Sequence, residues 1–176
     1  MILLIDNFDS FSYNLYQMIG AINPDIRVVR NNELSVEDVR ALAPSHIVLG
    51  PGPGRPEDAG ITMDVARTVS TEIPTLGVCL GEQAICAAYG ATVTYADSLM
   101  HGKQSDVTFD TNSVLFRGCP QVELVARYHS LVADASTLPD DLRVTGATAT
   151  GEVMAVEHTR YPIYGVQFHP ESILTP

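Results

Sequence analysis

Between residues 73 and 90 the chain passes from a short apolar run to a helix-forming one through Gly77-Val78-Cys79-Leu80-Gly81. The run Ile73-Pro74-Thr75-Leu76-Gly77-Val78 carries no charge and suits a strand buried on both faces. Residues 82–89 suit a helix that Gly90 terminates. Glycines two positions either side of Cys79 permit a strand-to-helix bend too tight for side chains. Such a bend belongs to a parallel sheet, lifts its central residue out of that sheet, and aims the first helical N–H groups at it. Those donors and the helix dipole favour thiolate over thiol, so Cys79 reads as a nucleophile. Cys86, inside the helix, and Cys119, in a Gly-Cys-Pro turn, read as small buried hydrophobes.

The surrounding pattern agrees with a parallel sheet. Strands are predicted at 2–5, 26–29, 46–49 and 73–78, with helices at 10–19, after Ser35 and at 59–70 between them. Ser35-Val36-Glu37-Asp38 is a capping sequence for the second helix. This alternation predicts an α/β fold, a flavodoxin-like open parallel sheet with helices on both faces and right-handed crossovers. The second half changes character: short β-rich runs at 92–95, 106–109, 122–127, 142–145, 152–156 and 163–168 are separated by turns. These read as antiparallel strands added to one side, with 163–168 returning to the core. No repeat, linker or low-complexity tract interrupts the 176 residues, so a single domain over 1–176 is expected.

Bulk properties narrow the function classes. Ten Lys+Arg against 21 Asp+Glu give a net charge of −11, which argues against nucleic acid and anionic membrane as partners. Three cysteines with no C-x-x-C, and histidines without ligand spacing, suggest neither a disulfide scaffold nor a metal site. No cofactor is implied. The opening Met1-Ile2-Leu3-Leu4-Ile5 meets Asp6 at once, too short for a signal or a membrane span, and a cytoplasmic location is expected.

A sulfur nucleophile needs a base, and Gln167-Phe168-His169-Pro170-Glu171-Ser172 offers one. Residues two apart in extended chain face the same way, so Glu171 reaches the His169 imidazole and fixes its tautomer. Pro170 holds the spacing by locking φ. In an open α/β sheet, sites form beyond the carboxyl ends of the strands, which brings together 6–14, 50–56 and 79–83. The loop Gly50-Pro51-Gly52-Pro53-Gly54 is a poor phosphate cradle, because its prolines remove two N–H donors. The Gly52 N–H with that of Leu80 better suits an oxyanion hole. A receiver or flavodoxin reading of Asp6-Asn7-Phe8-Asp9-Ser10 lacks the phosphate loop and the acceptor aspartate that it needs.

Taken together, these residues resemble the class I, triad-type glutamine amidotransferases. Asp6-Asn7-Phe8-Asp9-Ser10-Phe11, Pro51-Gly52-Pro53-Gly54, the Cys79 segment, Met100-His101-Gly102-Lys103, Tyr128-His129-Ser130-Leu131 and Phe168-His169-Pro170-Glu171-Ser172 occur in the family's order. The first and fourth of these narrow the resemblance to the branch that serves chorismate-using synthases, of anthranilate or aminodeoxychorismate. The resemblance implies Cys79, His169 and Glu171 as catalytic triad and Gly52 and Leu80 as oxyanion donors. It further implies L-glutamine held by Gly52, Pro53, Gly54, Gln83, Ser130 and Leu131, and ammonia delivered to a chorismate-binding synthase subunit. A stand-alone cysteine hydrolase of γ-glutamyl amides would use the same triad without a partner. Two departures stand out. Glu82 replaces the usual histidine of the family and is expected to point outward, and the chain stops at Pro176 where relatives continue into a closing helix.

Overall fold

The computed structural model describes residues 1–96 and 99–176 in full. Nine strands form one sheet: β1 (Ile2–Asp6), β2 (Ile26–Arg30), β3 (His46–Leu49), β4 (Thr75–Val78), β5 (Val93–Phe109), β6 (Val122–Ala133), β7 (Leu142–Thr148), β8 (Val153–His158) and β9 (Ile163–Val166). Their spatial order is β2-β1-β3-β4-β9-β8-β7-β5-β6. The first five in that order run parallel, and from β8 onward every pairing is antiparallel. The expected parallel block with antiparallel strands added on one side is borne out. Residues 163–166 return to the middle of the sheet, as the sequence indicates.

Among the described residues there are four α-helices: α1 (Ser12–Gly20), α2 (Val36–Leu42) and α3 (Thr62–Arg67) connect successive parallel strands, and α4 (Leu80–Ala88) leads from β4 into β5. Alternation along the buried strands assigns them to faces. Leu3, Ile5, Ile47 and Leu49 join one core with Val39 of α2, Val65 of α3 and Ile85 of α4. Leu4, Val48 and Val78 join the opposite core with Leu15 of α1. Ser35 caps α2 as expected: its hydroxyl accepts from the Asp38 N–H at 3.1 Å while Asp38 accepts from the Ser35 N–H at 2.9 Å.

Three expectations are corrected. The runs at 92–95 and 106–109 are parts of one 17-residue strand, β5, which pairs with β6 along its length. A register shift between His101 and Lys103, where Gly102 takes φ +64°, absorbs the irregularity that reads as a turn. The helix expected at 59–70 shortens to α3, with single 3-10 turns at Pro56–Asp58 and Val69–Thr71. Cys119 is exposed rather than buried, because the turn at Gly118, φ +85°, carries it to the surface. Among the described residues no helix is long and apolar enough to cross a membrane.

Candidate functional site

Cys79 stands at the junction of β4 and α4 with φ +55° and ψ −106°, a strained geometry for a residue with a side chain. The flanking glycines allow it. A Cβ on Gly77 would lie 2.5 Å from the Gly81 carbonyl, and one on Gly81 would lie 2.0 Å from the Leu49 carbonyl oxygen of β3. Strand end, helix start and neighbouring strand are thus pressed together with no room for side chains. The Cys79 N–H is held by the Val166 carbonyl of β9 at 2.8 Å, which locks the bend to the central strand.

The segment after β9 brings His169 to this bend. Its Nδ1 donates to Glu171 Oε1 at 2.7 Å, and both side chains are buried. The backbone is pinned as well: the His169 N–H donates to the Ala126 carbonyl of β6 at 3.0 Å, and the Thr175 hydroxyl donates to the His169 carbonyl at 2.7 Å. Phe11 and Tyr128 box the imidazole, with ring centroids 5.3 and 5.2 Å away. The other nitrogen, Nε2, is buried without a well-aligned hydrogen-bond partner. The Cys79 thiol nonetheless lies near enough to act on it. Burial pulls the imidazole pKa down, but the Cys79 sulfur and Glu171 outweigh that and raise it to about 10.

Cys79 opens onto a cavity of about 140 Å³ lined by Gly52, Pro53, Gly54, Gln83, Tyr128, His129, Ser130 and Leu131. Every residue expected to hold a ligand therefore lines one cavity beside the sulfur. Among the described residues the N–H groups of Gly52 and Leu80 have no acceptor, so two free donors flank Cys79. The Gln83 amide donates to the Leu131 carbonyl at 3.0 Å and to Gln167 Oε1 at 2.8 Å, which leaves its own carbonyl for a ligand. His129 stays neutral. Burial and then the Arg127 guanidinium push it down to about 4, and Arg127 Nε donates to its Nε2 at 3.0 Å, leaving Nδ1–H to donate to the Leu131 carbonyl. A larger apolar groove of about 260 Å³, lined by Leu76, Phe109, Phe116, Val166 and Phe168, opens elsewhere and does not include Cys79 or His169.

One residue lies where the sequence did not put it. Glu82 points inward, is fully buried, and lies on Gly165 of β9, where any Cβ would fall 2.7 Å from the Glu82 Cγ. The position is in the first turn of α4, whose core face packs on the sheet, so the side chain has no path to water. Cys86 donates to its Oε1 at 3.3 Å, while Oε2 has no partner. Burial raises its pKa to about 8, so near neutral pH it is largely protonated and adds little charge beside Cys79.

Gln167, Phe11, Tyr128 and His129 belong to the site without having been assigned to it from the sequence. Gln167 is fully buried and its Nε2 donates to Cys79 Sγ at 3.6 Å. Its position two residues before His169 in extended chain is the signal that could have found it. Phe11 gives no signal, because its packing on the imidazole is a tertiary contact across the molecule.

Comparison with known proteins places this geometry. The model of the family "Glutamine amidotransferase class-I" matches residues 3–176. The chain is 51% identical over 177 residues to anthranilate synthase component II of Haloarcula marismortui, covering 99% of the chain and 91% of that protein. It is 47% identical over 175 residues to aminodeoxychorismate synthase component 2 of Escherichia coli, covering 99% and 93%. It is also 46% identical over 176 residues to bifunctional protein TrpGD of Thermotoga maritima, where 99% of the chain spans only 30% of the longer protein. A solved structure from Thermoplasma acidophilum, described as a subunit of GMP synthase, superposes with a TM-score of 0.86 at 26% identity, covering 99% and 85% of the two chains. With a sulfur on a strained bend, a clamped imidazole beside it and a match that runs almost end to end, this chain belongs to the class I glutamine amidotransferases.

Proposed function

We propose that the chain is a glutaminase that supplies ammonia to a chorismate-using synthase subunit. What supports the chemistry is a single observation: the Glu171-clamped imidazole of His169 lies close enough to the Cys79 sulfur to have its pKa raised by it, and that sulfur opens onto a ligand-sized cavity. The Cys79 thiolate attacks the side-chain carbonyl carbon of L-glutamine. The oxyanion takes the free N–H groups of Gly52 and Leu80, a setting worth about 3–4 kcal/mol of barrier per donor in comparable sites. The C–N bond then breaks, His169 gives its proton to the leaving nitrogen, and ammonia departs from a γ-glutamyl thioester. Water attacks that thioester as His169 takes its proton; the C–S bond breaks and glutamate leaves. Gly52, Pro53, Gly54, Gln83, Ser130 and Leu131 form the glutamine site.

Relatives named as second components of anthranilate and aminodeoxychorismate synthases support this choice of partner. Free ammonia is lost to protonation in bulk water, so the product must pass directly to the subunit that consumes it. A nucleophilic thiol at Cys79 outside any disulfide suits a reducing compartment such as the cytoplasm.

The test combines the chain with a chorismate-binding synthase subunit. Cys79→Ser is expected to cut glutamine-dependent formation of the aromatic amine about a thousandfold or more, with ammonia-dependent formation unchanged. A glutamine analogue bearing an electrophilic ketone should label Cys79 in the parent chain. Equal loss of both activities would leave Cys79 a structural residue. Fast glutamine hydrolysis by the chain alone, unaffected by any synthase, would make it a stand-alone hydrolase.

A further inference from the structure

The loop that carries the Gly52 N–H has little structure of its own. Pro51 and Pro53 bring no donors, and among the described residues no backbone hydrogen bond is donated from residues 51 to 54. The loop is held instead at its root. The Gly50 N–H donates to the Ile5 carbonyl at 2.9 Å, and the Gly50 carbonyl accepts from Asn7 Nδ2 at 2.8 Å. With both polar groups of Gly50 engaged and the φ of Pro51 locked by its ring, ψ of Pro51 is the one soft torsion left between this anchor and the Gly52 N–H.

Asn7 holds the loop from a second side. A Cβ built on Gly52 would lie 2.5 Å from Asn7 Cβ, 2.6 Å from the Asn7 carbonyl oxygen and 2.8 Å from Leu80 Cδ2. Gly52 is therefore wedged between Asn7 and the residue that bears the other free N–H. Asn7 is itself immobile. It is buried, and its Oδ1 accepts from Asn31 Nδ2 and from Thr62 Oγ1, both at 2.8 Å. Those partners follow β2 and begin α3, so three elements fix one amide. A buried amide with three hydrogen bonds to three different elements is held rigidly.

We infer that Asn7 is a positioning residue: it orients the Gly52 N–H, and sets its spacing from that of Leu80, for the oxyanion formed on glutamine. Only an amide of this length meets the geometry, with a donor on the side of Gly50 and an acceptor on the side of Asn31 and Thr62. Aspartate keeps the shape and the acceptor but sets an oxygen against the Gly50 carbonyl. The inference rests on the proposed glutaminase reading, and it extends to residue 7 a part in the reaction beyond the triad and the two donors.

Asn7→Asp and Thr62→Val test it in the full chain, with two readouts. One is kcat and KM for glutamate release from L-glutamine by the chain combined with a chorismate-binding synthase subunit. The other is the rate at which methyl methanethiosulfonate modifies Cys79, followed by peptide mass; that reaction passes through no carbonyl and needs no oxyanion donor. Asn7→Asp should lower kcat about 10- to 100-fold, less than removal of a donor outright, with KM and the Cys79 modification rate each within about threefold of the parent. Thr62→Val, which frees one side of the Asn7 carbonyl, should lower kcat about threefold or more with the same pattern, and it decides the matter if Asn7→Asp does not fold. Unchanged kcat, or kcat and Cys79 modification falling together, would overturn the inference. If the parent chain combined with a chorismate-binding synthase subunit releases no glutamate while its Cys79 reacts normally, the glutaminase reading itself fails, a result distinct from an unaffected variant.

Discussion

Three residues past the sulfur, Glu82 has lost its water and gained only one hydrogen bond, from the Cys86 thiol. Its pKa of about 8 in the folded chain stands above the ordinary 4.5, so the native state binds this proton more tightly than the unfolded state does. The stabilisation from this group is full below about pH 4.5 and is lost as the pH rises through 8. Glu82→Gln keeps the shape and cannot ionise. The variant and the parent should melt alike near pH 5, and by pH 9 the variant should be the more stable by about 3–5 kcal/mol, read from urea titrations at both pH values. A constant difference across that range would mean that Glu82 is not buried as a neutral acid. The inward placement was not legible in the sequence, because a glutamate in a first helical turn is equally at home on the surface. The pairing of Cys79 with His169 and Glu171 was legible, since each motif carries its own local geometry. Gln167 and Asn7 were not assigned roles, because their significance lies in partners 88 and 43 positions away.

At the scale of elements, the bend between β4 and α4 depends on backbone contact. Gly81→Ala would place a methyl group 2.0 Å from the Leu49 carbonyl oxygen, against backbone that cannot rotate away. We expect a cost of about 3 kcal/mol or more and a displaced Cys79, with glutamine turnover falling by more than the loss of folded protein explains; circular dichroism alongside activity separates the two. A variant with normal stability and turnover would show that α4 can move away from β3. The parallel strands other than β2 were readable because each is a short, largely apolar run bounded by Gly, Pro or Asp; β2 carries Arg27 and Arg30 and is marked by its β-branched residues instead. The long β5 was not. Its middle is polar, its register is set by β6, and its break at Gly102 has the same signature as a turn.

At the scale of the molecule, β9 joins the parallel half of the sheet to the antiparallel half, pairing with β4 on one side and β8 on the other. Ile163 is fully buried there. Ile163→Ala should destabilise the protein by about 2–5 kcal/mol, and reporters placed in α1 and in β6 should lose signal at the same urea concentration. Separate transitions would show the two halves folding independently.

The strand that closes this sheet is also the last of the nine to be synthesised. A ribosome emits both margins of the molecule before the piece that welds them, and His169 follows a few codons later. During most of its synthesis the nascent chain holds a sulfur with no acid to assist it. On the proposed reading, the sulfur gains its base only as the two halves of the sheet are joined.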